Sequence, residues 1–150
     1  MSTQLFLTEK ELAPWGLRLT QDNLAQGMRI WTTENMQGIV QRVVDIRWRF
    51  VNALEAIEYH KEHLTENSEA AQEIQIADLE SFGQDLRIFQ RGAEDPMLAT
   101  LGLKLQMFYF LFHENNIVAK VFVSGSGDLK LQDAIKIAKA AEDIIKKALN

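Results

Sequence analysis

The stretch that most constrains this chain is its last third, Leu105 to Leu149, which reads as a tight β-hairpin running straight into a long amphipathic helix. Leu105 to His113 is rich in aromatic and aliphatic side chains, Asn115-Asn116 makes the turn, and Ile117 to Ser124 returns. Asn tolerates positive φ, which a two-residue type I′ turn demands of both central residues. That turn sets Glu114 opposite Ile117. Counting back sets Phe112 opposite Ala119, Phe110 opposite Val121 and Phe108 opposite Val123, a wholly apolar face that must be buried. The other face pairs His113 with Val118, Leu111 with Lys120, Tyr109 with Phe122 and Met107 with Ser124. A strand apolar on both sides is covered on both sides. The mixed face therefore carries a second layer or lines a pocket. In the helix, Leu131, Ala134, Ile135, Ala138, Ala141, Ile145, Ala148 and Leu149 share one stripe, and Ile137 and Ile144 widen it. Such a stripe suits a helix lying on a sheet, and the lysines near its C-terminus complement the helix dipole.

Upstream, Ile39 to Phe50 is the clearest long strand. Val40, Val44, Ile46, Trp48 and Phe50 share one side, while Gln41, Asp45, Arg47 and Arg49 share the other. The expectation is apolar-in and polar-out, with Arg42 an exception at the sheet margin. Asn52 then caps a helix to about Leu64, with Glu55 in the capping-box position and Ala53, Ile57, His60 and Leu64 as its inner stripe. Thr8 and Glu11 open a shorter helix that Pro14 and Gly16 close. Thr20 to Gly27 reads as polar turn, Ile74 to Leu79 as a short extended piece, and Gly92 to Gly102 as a loop broken at Asp95-Pro96. The pattern predicts a single α+β domain over residues 1–150. Its mainly antiparallel sheet has about five strands, near 28–33, 39–50, 86–90, 104–113 and 117–124, with helices near 53–64 and 131–148 packed on the apolar faces.

Composition narrows function more than it names it. At 150 residues, 47% hydrophobic and 25% charged, the chain has the make-up of one ordinary folded domain. A formal net charge of −5 and the lack of a basic patch argue against nucleic acid, because phosphate contacts need clustered cations. With no cysteine there is no disulfide, thiolate metal site or cysteine nucleophile. No apolar run approaches the length of a membrane span. Met1 to Thr8 has neither the basic nor the apolar part of a secretory leader, which reads as cytoplasmic, or as exported if a leader has been trimmed.

Three patterns invite chemistry. His60 and His63 sit three apart on a helix and can share a metal, which makes a small enzyme or metal protein one alternative. The spacing lacks the Glu of the zinc-helix motif, and His60 falls on the inner stripe, so a packed His60 and a solvated His63 is the plainer account. Gly125-Ser126-Gly127 before a helix resembles a phosphate-binding turn, but Asp128 would repel an anion and no P-loop pattern is present, which favours a flexible connector. Ser124 and His113 lie at opposite ends of the hairpin, too far apart for a nucleophile and its base. The mixed hairpin face is the best candidate surface. Tyr109, Lys120, Phe122 and His113 combine aromatic area with a few polar heads, the usual make-up of a ligand site. Met97, Leu98 and Leu101 are apolar for a loop, which fits a cover on the core, a continuation into the Leu105 strand, a permanent plug on the mixed face, or a flap over it that leaves Lys120 to pair with an anionic group.

A long strand runs into a capped helix at Phe50 to Ala56. An aromatic strand and polar turn follow at Phe108 to Asn116, then Ala119 to Gly125 and an Ala-rich terminal helix. This order, over roughly Gly27 to Leu149, resembles small α/β domains of exported bacterial proteins and lipoproteins, with a PsbP-like outline. The resemblance implies a non-catalytic accessory or binding role, with no catalytic residues and no cofactor to carry over. The expected partner is an unidentified small molecule or protein. A homodimeric interaction subunit is a further alternative.

Overall fold

The computed structural model describes residues 2–66, 72–74, 84–91, 100–101 and 105–149. Its strands are β1 (Arg18–Asn23), β2 (Met28–Thr32), β3 (Val40–Arg49), β4 (Gln72–Ile74), β5 (Gln84–Arg91), β6 (Leu105–Glu114) and β7 (Ile117–Ser126). Its helices are α1 (Glu9–Leu12), α2 (Ala53–Glu66) and α3 (Leu131–Leu149). The strands form one antiparallel sheet in the order β1-β2-β3-β7-β6-β5-β4. Among the described residues there are thus seven strands rather than about five. The additions are the two edges. β1 is polar and almost wholly exposed, so it carries no alternation to read. β4 is three residues long.

The hairpin register is the expected one, from Glu114 opposite Ile117 to Met107 opposite Ser124. Its turn differs. Asn115 is left-handed at φ 51°, but Asn116 is not, so the turn is not type I′. Tertiary contacts set Asn116 instead. Its side-chain amide donates to the Phe50 carbonyl at 2.8 Å, and the Phe50 amide donates to the Asn116 carbonyl at 2.8 Å. The Gly125-Ser126 pair is likewise strand rather than loose connector. Gly125 lies opposite Val40, and a Cβ there would come within 1.7 Å of the Ile39 carbonyl oxygen.

One face of the sheet packs under α3 and the N-terminal segment. Phe108, Phe110, Phe112, Ala119, Val121 and Val123 are all buried there with Ala138, Ala141 and Ile145 of the helix. The register brings Val43, Asp45 and Arg47 of β3 onto this same face, opposite Val123, Val121 and Ala119. The expected wet side of β3 is therefore the buried one. Asp45 is 0% and Arg47 1% exposed, whereas Val44, Ile46, Trp48 and Phe50 are half-buried.

Two charges enter the core because they are paired and hydrogen-bonded to a segment that comes to them. Arg47 forms an ion pair with Asp45. The free carboxylate oxygen of Asp45 accepts the Leu7 amide at 2.8 Å, and Arg47 Nε donates to the Leu5 carbonyl at 3.1 Å. Between them Phe6 is fully buried, with the Arg47 guanidinium 5.6 Å and the Arg29 guanidinium 5.9 Å from its ring centroid. Arg29 is itself held by Asp22 at 3.0 Å. Burial pushes the Asp45 carboxyl above its ordinary value, against the pull of Arg47, the Leu7 amide and Arg29. Truncating one partner strands the other, so Arg47→Ala is expected to cost about 3–5 kcal/mol in urea unfolding. A loss below about 1 kcal/mol would show that the pair is solvated.

At the other end of α3, the buried Glu142 accepts from Lys146 at 3.0 Å and from Lys139. Glu114 stands nearby. Burial raises its carboxyl above the ordinary 4.5, Lys146 opposes this, and Glu142 adds to it. A carboxyl raised on folding stabilises most fully below its unfolded value, and that contribution is lost as pH climbs through the folded value. Glu114→Gln, always neutral, should therefore gain melting temperature over the parent at pH 7 relative to pH 4. An equal difference at both pH values would refute the shift.

Candidate functional site

On the face away from α3, the register lines side chains up in rows across the strands. One row runs Phe89, Tyr109, Phe122, Val44, Ile30 from β5 to β2. The next runs Arg87, Leu111, Lys120, Ile46, Met28, and the one beyond it His113, Val118, Trp48. The first row is an aromatic lane. Phe89 stacks on Tyr109 at 4.9 Å and 15° between planes, and Tyr109 meets Phe122 at 5.2 Å. Lys120 lays its ammonium over this lane, 5.0 Å from the Phe122 centroid and 5.7 Å from that of Tyr109. That contact combines ring-face attraction for the cation with an apolar bed for its stem.

Helix α2 covers the far row. Asn52 Oδ1 accepts the Glu55 amide at 2.9 Å, fixing where the helix starts. Ala56 and His60, four apart, then face the sheet and are buried. His60 Nε2 lies 3.4 Å from the Leu111 carbonyl, and its ring meets His113 edge-on at 5.6 Å. Tyr59 packs between Trp48 and Phe50, at 5.1 and 5.0 Å.

The four residues singled out in the sequence thus fall into two places. Lys120 and Phe122 are half-buried and reachable from solvent, with Tyr109 beneath them at 5% exposure as floor rather than as an open hydroxyl. His113 is on the same face but shut under α2 at 1% exposure. His60 turns to His113, while the side chain of His63 lies outside the described residues. Of the apolar loop residues, Met97 and Leu98 also lie outside the described residues, and Leu101 is 65% exposed. Among the described residues, no three His, Asp or Glu side chains are placed to hold a metal ion.

A feature the sequence reading missed adjoins this face. An open groove of about 450 Å³ is lined by Leu24 to Gly27, the Arg47 to Phe50 end of β3, and Tyr59. Its signal in the sequence is the alternation of Trp48 and Phe50 at a strand end, followed by Tyr59 on the next helix. Reading that side of β3 as interior hid it.

No family model matches the chain, and no curated protein matches it significantly. Among solved structures it is similar to the extracellular domain of PknH from Mycobacterium tuberculosis, with a TM-score of 0.54 and 14% identity over 97% of this chain and 74% of that one. At that identity the likeness is one of fold. It is a likeness to an extracellular bacterial domain, and it lends no support to the PsbP-like outline. No described helix is long and apolar enough to cross a membrane.

If Lys120 belongs to a site rather than to the scaffold, its removal should cost little stability. Lys120→Met is expected to change the unfolding free energy by no more than about 1 kcal/mol, the worth of a partly exposed cation–π contact or surface ion pair. A several-fold larger loss would make it a structural residue.

Proposed function

We propose that this chain is a non-catalytic binding domain that takes a small molecule on the α2 side of its sheet. One observation carries the reading. β3 is a central strand, yet Val44, Ile46, Trp48 and Phe50 along one side of it are all left half-open, and the groove lies at the Trp48 end. In an antiparallel sheet the side left open to water is normally polar, so a contiguous apolar stripe on it marks a surface that something covers. The aromatic lane of Tyr109 and Phe122 extends the stripe, and Lys120 offers a cation beside it. The fold likeness to an extracellular bacterial domain fits an exported setting. His60 and His113 are packed against each other between helix and sheet, which supports a scaffold role for them over chemistry.

The test is a titration with 1-naphthol, an uncharged flat probe, followed by backbone amide shifts and Trp fluorescence. Shifts should gather on Val44, Ile46, Trp48 and Phe122. Phe122→Ala should weaken binding on the order of fivefold, the equivalent of about 1 kcal/mol of lost apolar contact. No binding up to the solubility limit, or shifts gathered on another face, would overturn the reading.

A further inference from the structure

The row on the other side of the aromatic lane has a different chemistry. It runs Arg18, Thr32, Arg42, Ser124 across β1, β2, β3 and β7. Directly paired residues in an antiparallel sheet point to the same side, so two guanidiniums and two hydroxyls alternate along one line. Arg18 and Arg42 are exposed, and Thr32 and Ser124 are half-buried. Among the described residues the two guanidiniums make no ion pair or hydrogen bond, and neither hydroxyl is hydrogen-bonded. The sheet also sorts its charge. In β1, β2, β3, β6 and β7 the acids are Asp22, Asp45 and Glu114. Asp22 and Asp45 flank Arg29 in one row on the α3 side, and Glu114 lies by Lys146 of α3. The opposite side of these five strands carries Arg18, Arg42 and Lys120 and no acid at all. In a chain of net charge −5, Arg18 and Arg42 thus stand among no strand acids, and the acids Glu55, Glu58 and Glu62 of α2 belong to the helix over the far row.

We infer that this row is an anion subsite, and that the ligand of the sheet face is a soluble phosphate monoester with an apolar or aromatic body. The inference rests on the binding reading above and specifies its ligand class. Neighbouring strands are about 4.8 Å apart, so the Arg18 and Arg42 backbones stand about 10 Å apart with Thr32 midway. Both side chains are long enough to converge over Thr32. A tetrahedral oxyanion there takes a guanidinium from each side and a hydroxyl from below, the fork geometry that suits Arg to phosphate. The ester oxygen then leads the body onto Phe122 and Val44, one row further along.

The experiment compares 1-naphthyl phosphate, 1-naphthol and inorganic phosphate by calorimetry on the intact chain. The phosphate ester should bind on the order of tenfold more tightly than naphthol, as charge-assisted contacts in a partly desolvated row allow, and the preference should shrink as salt rises. Arg42→Ala and Arg18→Ala should each remove most of that preference and leave naphthol binding in place, whereas Lys147→Ala, which alters net charge equally on the far side of α3, should leave the preference intact. Equal affinity for ester and naphthol would overturn the subsite while the binding reading stands. So would a preference lost in Lys120→Ala but kept in Arg42→Ala, since the anion would then sit on Lys120. Failure of every naphthyl probe to bind would instead overturn the reading beneath. Capture by vesicles of phosphatidylcholine with phosphatidic acid, without binding of the free ester, would replace the small molecule with a lipid surface.

Discussion

The ion pair between Asp45 and Arg47 decides how the rest of the molecule is arranged. Both belong to β3, in the middle of the sheet, and both point into the packed side. Removing two charges from water is expensive, and their mutual attraction offsets this better the more of the remaining donors and acceptors are used. Here Arg47 Nη2 alone of the guanidinium nitrogens makes no hydrogen bond among the described residues. The partners come from Leu5 and Leu7, so the N-terminal segment is held by backbone hydrogen bonds to a strand far along the chain. Leu5, Phe6 and Leu7 then pack between sheet and helix beside Arg47, itself among the largest of the fully buried side chains. A purely apolar pair at these positions would pack, but it would give the segment no fixed address.

The same choice shapes the other side. Because residues alternate along a strand, placing Val43, Asp45 and Arg47 inward sends Val44, Ile46 and Trp48 to the α2 side. Helix α2 is anchored near one end of that face by Ala56, His60 and Tyr59, and it leaves the middle of β3 half-open. The sheet is thus two-sided in an unusual sense. Its sealed side holds the buried ion pair, and its open side holds the aliphatic and aromatic stripe. The candidate site follows from where the charges were put.

Much of this was legible in the residues, and the failures have a common cause. The hairpin could be read to the residue pair, because period-two alternation and a short polar turn leave one register. Tyr109, Phe122 and Lys120 came together for that reason alone. The β3 face was inverted because alternation was read as polar-out. Yet Asp45 and Arg47 stand two apart with opposite charge, which is the spacing of a same-face pair, and that was the available sign. β1 could not be read, since an exposed edge strand has no apolar side, and without β1 the line from Arg18 to Ser124 has no first member. The register put His113 on the mixed hairpin face opposite Val118, but only the packing of His60 against it reveals that α2 closes over it.

The strand order carries a consequence for how the chain assembles. β3 and β7 are neighbours in the centre of the sheet, but α2, β4, β5 and β6 lie between them in sequence. The three strands of the first half form a meander whose inner edge has no partner until the last strand emerges. Long-range pairing of this kind demands loop closure before it returns any contact energy, which makes such topologies slow to form. During synthesis, β3 therefore waits with its inner edge unpaired and its charges unsealed until β7 has left the ribosome and can close the sheet.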